Sequence, residues 1–256
     1  MIEPFQLQGN LLHIRDWEEK FPLKAGFTTA RHDSNIAYHV GDIPERVYQN
    51  REAVAHAIGM PLNNWVFAQQ LHTANVHEVT KADLGAGQFS FESGIPNTDG
   101  LYTKEAGVVL ATFYADCTPL YFYAPKHHLI GVAHAGWQGT VKDMMGTMLR
   151  TFKVKEGIAP EDIYIAIGPA IGQDAYRVDD RVIEQVKEPS TYVDLGGGQY
   201  KFNPKKLNVL QALGEGVPRE NIVISSYCTF TDKDLFYSHR RDSKSGRMMA
   251  FMVLDK

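Results

Sequence analysis

Cysteine is scarce in this sequence: Cys117 and Cys228 are the only two. Two cysteines exclude a disulfide framework, and free thiols persist in a reducing compartment, so we expect a cytoplasmic protein. The stretch from Met1 to Gln6 has neither the basic region nor the long apolar region of a signal peptide. No apolar run approaches the length of a transmembrane helix, so we expect no association with a membrane.

An excess of charge of either sign is also missing. The chain has 26 Lys and Arg against 30 Asp and Glu, a formal net charge of -4, which gives no reason to expect binding to nucleic acid or a membrane surface. Internal repeats, low-complexity tracts and flexible linkers are absent from the sequence. A chain of 256 residues that is 44% hydrophobic can bury a substantial core. The sequence therefore predicts a single compact domain over residues 1–256.

Short apolar runs between turn residues predict many β-strands. The predicted strands are Leu11–Ile14, Ala25–Thr28, Trp65–Gln70, Val76–Thr80, Gly107–Ala115, Leu120–Ala124, Leu129–Ala133, Ile163–Ile167, Ile222–Ser225, Leu235–Tyr237 and Met249–Leu254. Adjacent strands are mixed with intervening helices and follow no regular strand-helix repeat. We therefore predict an α+β protein with mixed β-sheets rather than a doubly wound fold.

Four segments are predicted as helices, and three others as turns or loops. The helices are Pro44–Ile58, Thr140–Phe152, Arg181–Lys187 and Pro204–Leu213. Asp16–Lys20 is predicted as a charged turn. Gly85–Asn97 is predicted as a long loop, which either flanks a pocket or is simply exposed. Gly196–Gly198 lacks the flanking pattern of a phosphate-binding loop and is predicted as a turn.

Metal-competent side chains follow or end three of the predicted strands. His72 comes shortly after the strand that starts at Trp65, Cys117 directly follows the next apolar run, and His134 lies near the end of a third run. Small residues within Gly131–Gly139 leave little bulk near the imidazole of His134. Two imidazoles and one thiolate can form the ligand set of a catalytic zinc, with a fourth position open for water or substrate. The long spacings give no local metal motif.

Other interpretations of these residues stay open at this point. A single cysteine after an apolar run is often a small buried hydrophobe, and single histidines are often structural. Without a metal, Cys117 and His134 could act as the nucleophile and base of a cysteine hydrolase. A zinc that only stabilises the fold is disfavoured, because such sites usually close with four protein ligands.

Longer segments around these residues resemble one known family. Gln70-Leu71-His72, Asp116-Cys117 and His134-Ala-Gly-Trp-Gln-Gly are similar to the three signature segments of the laccase-domain family, also called multicopper polyphenol oxidases and now described as purine nucleoside phosphorylases. Further similar segments follow in the same order along nearly the whole chain: Ser34-Asn35, Val40-Gly41-Asp42, Asn50-Arg51, Thr98–Leu101, Gly168–Gly172, Ser238–Asp242 and Ser245-Gly246-Arg247.

The resemblance implies a layering, a cofactor and a reaction. The layering would be a pair of mixed sheets packed between helices. Zinc would be bound by His72, Cys117 and His134, each in its matching motif, with copper as the second metal to consider. Adenosine, inosine and S-methyl-5'-thioadenosine would be cleaved by phosphate to free base and ribose 1-phosphate, and adenosine would also be deaminated. The expected partners are a purine nucleoside and phosphate, and a homodimer is compatible with the sequence.

Six further side chains are predicted around this site. Asp116, beside Cys117, is expected in acid-base catalysis or in positioning a ligand, with a structural carboxylate as an equal alternative. Substrate or phosphate contacts are predicted at Asn35, Gln70, Gln138, Arg241 and Arg247. Gln138 stands where the family usually has arginine, which removes a bidentate phosphate contact. For the two arginines, an ordinary ion-pair network is the alternative.

Copper-dependent laccase activity is the least expected of the family's functions. A multicopper oxidase needs many copper-binding histidines, typically in His-X-His pairs. The chain has ten histidines and no such pair. We therefore expect zinc rather than copper.

Overall fold

The computed structural model describes residues 3–255 and contains three sheets, of which the two larger ones hold the apolar runs. Positions 1, 2 and 256 of the predicted domain lie outside the described residues. The strands are β1 Phe5–Gln8, β2 Leu11–Ile14, β3 Leu23–Thr28, β4 Trp65–Phe67, β5 Val76–Glu78, β6 Gly100–Thr103, β7 Val109–Tyr114, β8 Thr118–Ala124, β9 Leu129–Ala135, β10 Tyr164–Ile167, β11 Arg177–Asp179, β12 Tyr192–Gly196, β13 Gln199–Phe202, β14 Ile222–Ile224 and β15 Met248–Leu254. The helices are α1 Arg15–Lys20, α2 Pro44–Ile58, α3 Trp137–Val141, α4 Met144–Glu156, α5 Asp180–Ile183 and α6 Pro204–Gly214.

The two larger sheets are both mixed. Sheet 1 has the strand order β1-β2-β3-β15-β7-β4, and sheet 2 has the order β14-β10-β8-β9-β6-β5. In sheet 1 only β4 and β7 run parallel, and in sheet 2 the two edge pairs are parallel while the inner pairs are antiparallel. Every residue of β15, β8 and β9 is buried, as expected for strands covered on both faces.

Helices cover the outer faces of both sheets, and the inner faces pack together. Val54 and Ile58 of α2 pack on the outer face of sheet 1, beside Trp65. Helices α4 and α6 cover the outer face of sheet 2 through an apolar cluster that includes Met148 and Val209. This layering of two mixed sheets between helices, in one compact domain, confirms the predicted fold class.

Two buried tyrosine hydroxyls connect the sheets directly. Tyr121 of sheet 2 donates to the carbonyl oxygen of Gly26 in sheet 1 at 2.8 Å, and Tyr114 of sheet 1 donates to Ala133 in sheet 2 at 2.9 Å. Both rings lie within the apolar cluster between the sheets. The connection fixes how sheet 1 sits over the strands that carry the predicted metal ligands.

The third sheet is small and antiparallel, with the order β11-β13-β12. Val178, Val182 and Phe202 form its own apolar cluster, against which Trp137 packs. The three glycines Gly196–Gly198 all have positive φ and form the turn between β12 and β13, which confirms the predicted turn. The sheet itself was not predicted, because its strands are short and mostly exposed.

The predicted helix Thr140–Phe152 is wrong: the chain forms α3 and α4, separated at Lys142 and Asp143. Asp143 has φ +65° and caps α4 by accepting a hydrogen bond from the amide of Gly146 at 3.1 Å. An aspartate tolerates this left-handed conformation and favours a helix N-cap. The apolar spacing runs through the break and conceals it.

Three other local predictions need correction. Asp16–Lys20 forms helix α1 rather than a turn, and the helix predicted from Arg181 to Lys187 ends at Ile183. Leu235–Tyr237 is not a strand, since the amide of Leu235 bonds back to Asp232 in a turn. Strands β1 and β6 were not predicted. No helix of the described residues is long and apolar enough to cross a bilayer.

Replacing Tyr121 with phenylalanine should lower the free energy of unfolding by about 1 kcal/mol, because a buried carbonyl loses its donor. At the size of this chain, that corresponds to a Tm lower by roughly 2–4 °C. Tyr123→Phe is the matched control, since its buried ring lies on the same strand and its hydroxyl makes no hydrogen bond to a described residue. Urea titrations that give equal midpoints for the two variants would contradict the role given to Tyr121.

Candidate active site

The three predicted metal ligands meet at one point of the fold. Cys117 lies in the corner between β7 and β8, His134 is the second-last residue of β9, and His72 lies in the loop after β4 at φ +58°. The hairpin register pairs Thr118 with Ala135, which brings the corner beside the end of β9. The three donor atoms lie within 4.8 Å of one another. The rings of His72 and His134 meet edge to face, with centroids 4.9 Å apart.

The space around Gly136, two residues after His134, is filled by the other two ligands. A Cβ atom at this position would lie 2.9 Å from Cδ2 of His72 and 3.0 Å from Sγ of Cys117. Real Cβ atoms essentially never show a contact as short as the first and rarely one as short as the second. A side chain at this position would therefore displace His72 or Cys117 from the ligand group.

A fully buried carboxylate, Asp99, joins two of the ligands. Its Oδ1 lies 2.8 Å from Nδ1 of His134 and accepts from the amide of His72 at 3.2 Å. Its Oδ2 accepts from the amide and the hydroxyl of Thr73, both at 2.8 Å. The contact with Nδ1 leaves Nε2 of His134 as the ring nitrogen that can bind a metal, the arrangement common for metal-binding histidines.

Charges inside the site keep these groups ionised. Burial alone would raise the pKa of the Cys117 thiol, but the nearby imidazoles of His134 and His72 outweigh it and lower that pKa to about 6. Burial would likewise lower the pKa of His134, but Cys117 and Asp99 raise it to about 9. Burial acts to raise the pKa of Asp99, and its contacts with His134 and Thr73 bring that pKa below its ordinary value. At neutral pH and without a metal, Cys117 is therefore a thiolate beside a protonated His134.

The donor set fits a metal ion with an open coordination position. It offers two imidazole nitrogens and one thiolate sulfur, three protein ligands in all, as in catalytic rather than structural zinc sites. His134 is buried, Cys117 is half-buried and His72 is exposed, so the open side of the group faces outward. Cys117 and His72 line a cavity of about 510 Å³.

This cavity lies between the ligands and the third sheet, and it is rich in cations. Three arginines, Arg177, Arg181 and Arg240, line it with His239, against the carboxylates of Asp116 and Asp179. The guanidinium group of Arg240 lies 5.0 Å from the ring centroid of Tyr176, and that of Arg181 lies 5.9 Å from Trp137. The cavity therefore combines guanidinium groups with aromatic surfaces, which suits an anion beside a planar ring.

Asp116 lines the cavity, but its carboxylate already has three donors. It accepts from the hydroxyl of Thr229 at 2.6 Å, from that of Ser238 at 3.0 Å and from the amide of Arg240 at 2.7 Å. Its backbone has φ +87°, which makes the tight corner before Cys117. These contacts favour the positioning role over acid-base catalysis, since they hold the corner of Cys117 against the segment of Arg240.

Two of the predicted substrate-binding amides are used within the protein. Gln70 donates to the carbonyl of Phe113 at 2.8 Å and accepts from its amide at 2.6 Å. Asn35 donates to the carbonyl of Ala37 and to the carboxylate of Asp42, and its side-chain oxygen accepts from two backbone amides. Neither side chain lines the cavity. The structure thus places both residues in loop-holding contacts.

Of the three other side chains predicted to contact substrate or phosphate, the structure places one at the cavity. Gln138 lines the cavity, whereas Arg241 and Arg247 do not. Arg241 donates to the carbonyl oxygens of Thr229, Phe230 and Phe236, and Arg247 donates to those of Ser245 and Gly246. Burial lowers the pKa of Arg247, and the charges of Cys117 and Asp116 act in the opposite direction. These two arginines hold turns through backbone carbonyls rather than through ion pairs.

Sequence reasoning missed several residues that the fold brings to the site. Asp99 is visible in the sequence only within the similar segment Thr98–Leu101, because strand β6, which it precedes, was not predicted. No local pattern distinguishes Arg240 from its neighbour Arg241. Arg177 lies in a strand that was not predicted, and Arg181 lies at the start of a predicted helix, where no pattern marks it for the cavity.

Comparison with known proteins gives a family and close relatives. Residues 24–255 match the family model described as multi-copper polyphenol oxidoreductase laccase. The chain is 45% identical over 225 residues to purine nucleoside phosphorylase YlmD of Geobacillus stearothermophilus, covering 85% of this chain and 82% of that protein. It is 41% identical over an alignment of 268 positions to purine nucleoside phosphorylase YlmD of Bacillus subtilis, covering 97% and 96%.

A solved structure agrees over the whole chain. The crystal structure of YlmD from Geobacillus stearothermophilus superposes with a TM-score of 0.96 at 40% sequence identity, and the match covers 100% of both chains. The third sheet and the ligand-bearing corners are therefore part of an architecture that the two proteins share.

Asp99→Asn should weaken metal binding by about 10- to 100-fold. An asparagine side chain has one oxygen instead of two, so its NH₂ group would face either Nδ1 of His134 or the donors of Thr73. It would therefore hold His134 less firmly than the carboxylate does. Zinc affinity is measured by competition with a chromophoric chelator. Asp179→Asn, a carboxylate of the same cavity on the third sheet, is the matched control and should keep the wild-type affinity. Unchanged affinity in Asp99→Asn would contradict the positioning role.

In metal-stripped protein, the rate at which iodoacetamide alkylates Cys117 should be half-maximal near pH 6. The lowered pKa keeps the thiolate present at neutral pH, so the rate stays on its plateau down to about pH 7 and falls as the pH passes below about 6. Peptide mass spectrometry separates this cysteine from Cys228. The urea-unfolded chain is the control, with a midpoint near 8.5. A folded-state midpoint equal to the control would refute the described electrostatics.

Proposed function

The chain belongs to the family described as multi-copper polyphenol oxidoreductase laccase, and we propose that it acts as a zinc-dependent purine nucleoside phosphorylase. In this reaction a phosphate oxygen forms a bond to C1′ of the ribose. The bond from C1′ to N9 breaks, its electron pair stays on the purine, and the purine takes up a proton. The proposed substrates are adenosine, inosine and S-methyl-5'-thioadenosine. The products are the free base and ribose 1-phosphate, or 5-methylthioribose 1-phosphate from S-methyl-5'-thioadenosine.

One observation carries the proposal: a metal-competent donor group and a cluster of cations line the same cavity. Its volume of about 510 Å³ lies in the range of small-molecule sites. Three guanidinium groups stand against two carboxylates there, and Asp116 has its oxygens occupied by three donors. With the thiolate of Cys117 counted, the three guanidinium charges are balanced, so zinc held by the donor group would supply the surplus of positive charge that favours binding of phosphate. The names of the relatives support the same reaction.

The cavity also supplies groups for the purine and its leaving step. Trp137 and Tyr176 offer aromatic surfaces on which a planar base can stack. Burial, more than the nearby charge of Cys117, raises the pKa of Tyr176 above its ordinary value, so its phenol keeps its proton. A departing purine carries developing negative charge and needs a donor. Tyr176 can give it a hydrogen bond.

Zinc bound by His72, Cys117 and His134 supplies Lewis acidity at an open coordination position. The chain prepares this position, since Asp99 orients the imidazole of His134 and Gly136 leaves the ligands room to converge. We include adenosine deamination in the proposal, in which water replaces the 6-amino group and ammonia leaves. The same cavity admits a purine ring beside the ligands. Gln138 stands where the family usually has arginine, and the lost phosphate contact bears on the balance between phosphorolysis and deamination.

A metal-free cysteine hydrolase is the second candidate. Asp99, His134 and Cys117 also form the sequence of acid, base and nucleophile that such enzymes use. The second imidazole, that of His72, favours the metal site, because a hydrolase of this type needs one base. It lies with the other two donors within 4.8 Å.

Laccase activity with copper is not favoured. Among the described residues, one group of histidine and cysteine side chains has the spacing of a metal site, whereas a multicopper oxidase needs several. We propose the cytoplasm as the compartment, since a thiolate ligand persists where thiols stay reduced. A homodimer stays a prediction.

The decisive experiment measures metal content and products together. Wild type and Cys117→Ala are purified, zinc and copper are quantified, and each protein is incubated with adenosine with and without phosphate while adenine and inosine are separated. We expect about one zinc per wild-type chain, adenine only when phosphate is present, and neither metal nor products with the variant. Cys228→Ala, outside the donor group, is the matched control and should keep both.

The other outcomes are equally informative. Inosine formed regardless of phosphate, with no adenine, would identify a deaminase without phosphorylase activity and point to Gln138 as the cause. Inosine formed beside phosphate-dependent adenine would support both proposed activities. Wild type that carries no metal and leaves adenosine unchanged would overturn the proposed function and favour the thiol hydrolase.

A further inference from the structure

One buried hydroxyl next to the metal ligands has no hydrogen-bond partner. Thr118 directly follows Cys117 at the start of β8 and is fully buried. Its Oγ1 makes no hydrogen bond to any described residue. Burying a hydroxyl without a partner is unfavourable, so its presence calls for a physical reason.

The other buried threonines show that this is an exception. Each of their hydroxyls has a partner within the protein: Thr28, Thr29, Thr98, Thr103, Thr112, Thr140, Thr191 and Thr229. Valine has the same shape as threonine, favours strands as strongly and would remove the unpaired group. Packing and strand formation therefore do not explain a threonine at position 118.

The position of Thr118 relates the unpaired hydroxyl to the cavity. Thr118 lines the cavity together with Cys117 and with Ala135, its partner across the hairpin. The whole residue, including its hydroxyl oxygen, is covered from water by its neighbours. A hydrogen bond to a ligand in the cavity therefore requires the rotamer that directs the hydroxyl towards it, and rotation about χ1 exchanges the hydroxyl and methyl positions.

We propose that the hydroxyl of Thr118 donates a hydrogen bond to an oxygen of the phosphate cosubstrate, an inference that rests on the proposed function. The ligand that best uses an added O–H donor is an anion with several acceptor oxygens. Arg177, Arg181 and Arg240 line the same cavity and provide the charge for such an anion. Thr118 lies one residue from Cys117, so a phosphate held by it stands beside the proposed metal position, where its attacking oxygen is needed.

The test compares Thr118→Val and Thr118→Ser with wild type, each with its zinc content measured, at saturating inosine and varied phosphate. We expect the KM for phosphate to rise about tenfold or more in Thr118→Val, as for a lost hydrogen bond to a charged group. The KM for inosine should stay near the wild-type value, and Thr118→Ser should restore the KM for phosphate. A KM for phosphate that is unchanged in Thr118→Val, or a rise only in the KM for inosine, overturns the inference.

Thr103→Val is the matched control for a structural effect. The hydroxyl of Thr103 is buried in β6 and donates to the carbonyl of Val79 at 2.7 Å, away from the cavity. We expect Thr103→Val to lower Tm without changing the KM for phosphate. Thr118→Val should keep or raise Tm, because it removes a group that has no partner. A lowered Tm in Thr118→Val with unchanged phosphate kinetics would assign the residue a structural role and overturn the inference.

Binding of inorganic phosphate separates this inference from the proposed function. Wild type should show a higher Tm in phosphate than in chloride of equal ionic strength, and Thr118→Val should lose that increase. If wild type binds phosphate in this way but does not cleave nucleosides, the proposed function fails and the Thr118 contact stands. If Thr118→Val keeps the full increase, the contact is refuted even when wild type is an active phosphorylase.

Discussion

The contact between Asp99 and His134 is the interaction on which the rest of the site depends. Asp99 comes directly before β6 and is fully buried, so its charge needs donors around it. It finds them in His134 of β9 and in the loop of His72 and Thr73, and thereby brings a strand and a loop distant in sequence to one point. Without this carboxylate, the amides of His72 and Thr73 and Nδ1 of His134 would lose their shared acceptor.

Asp116 couples this ligand group to the cavity. Its carboxylate joins the corner of Cys117 to the segment that holds Ser238 and Arg240. The corner of Cys117 is therefore joined to the segment of Arg240, and Arg177 of the third sheet lines the same cavity. The same geometry supports phosphorolysis as the proposed reaction, because the anion and the sugar carbon must meet beside the ligands.

The sequence predicted most strands of the two larger sheets, because they are apolar runs between turn residues, and the central ones are buried along their whole length. It missed the third sheet, whose strands are short and largely exposed, and it joined α3 to α4 because apolar spacing continues through the break at Asp143. It also predicted a strand at Leu235–Tyr237, where the backbone instead turns back on Asp232. Local pattern indicates where apolar residues lie, but not how a short polar segment satisfies its backbone hydrogen bonds.

The sequence by itself identified His72, Cys117 and His134 as candidate metal ligands, through their places at the ends of predicted strands and through motifs that resemble one family. It also determined the class of fold, through the order and length of its apolar runs. Only the tertiary structure decided the partners of the polar groups: Asn35, Gln70 and Arg241 bond to backbone groups, while Arg240 lines the cavity. The physical reason is that a donor's role depends on which acceptor lies within about 3 Å, and those acceptors come from chain segments far away in sequence.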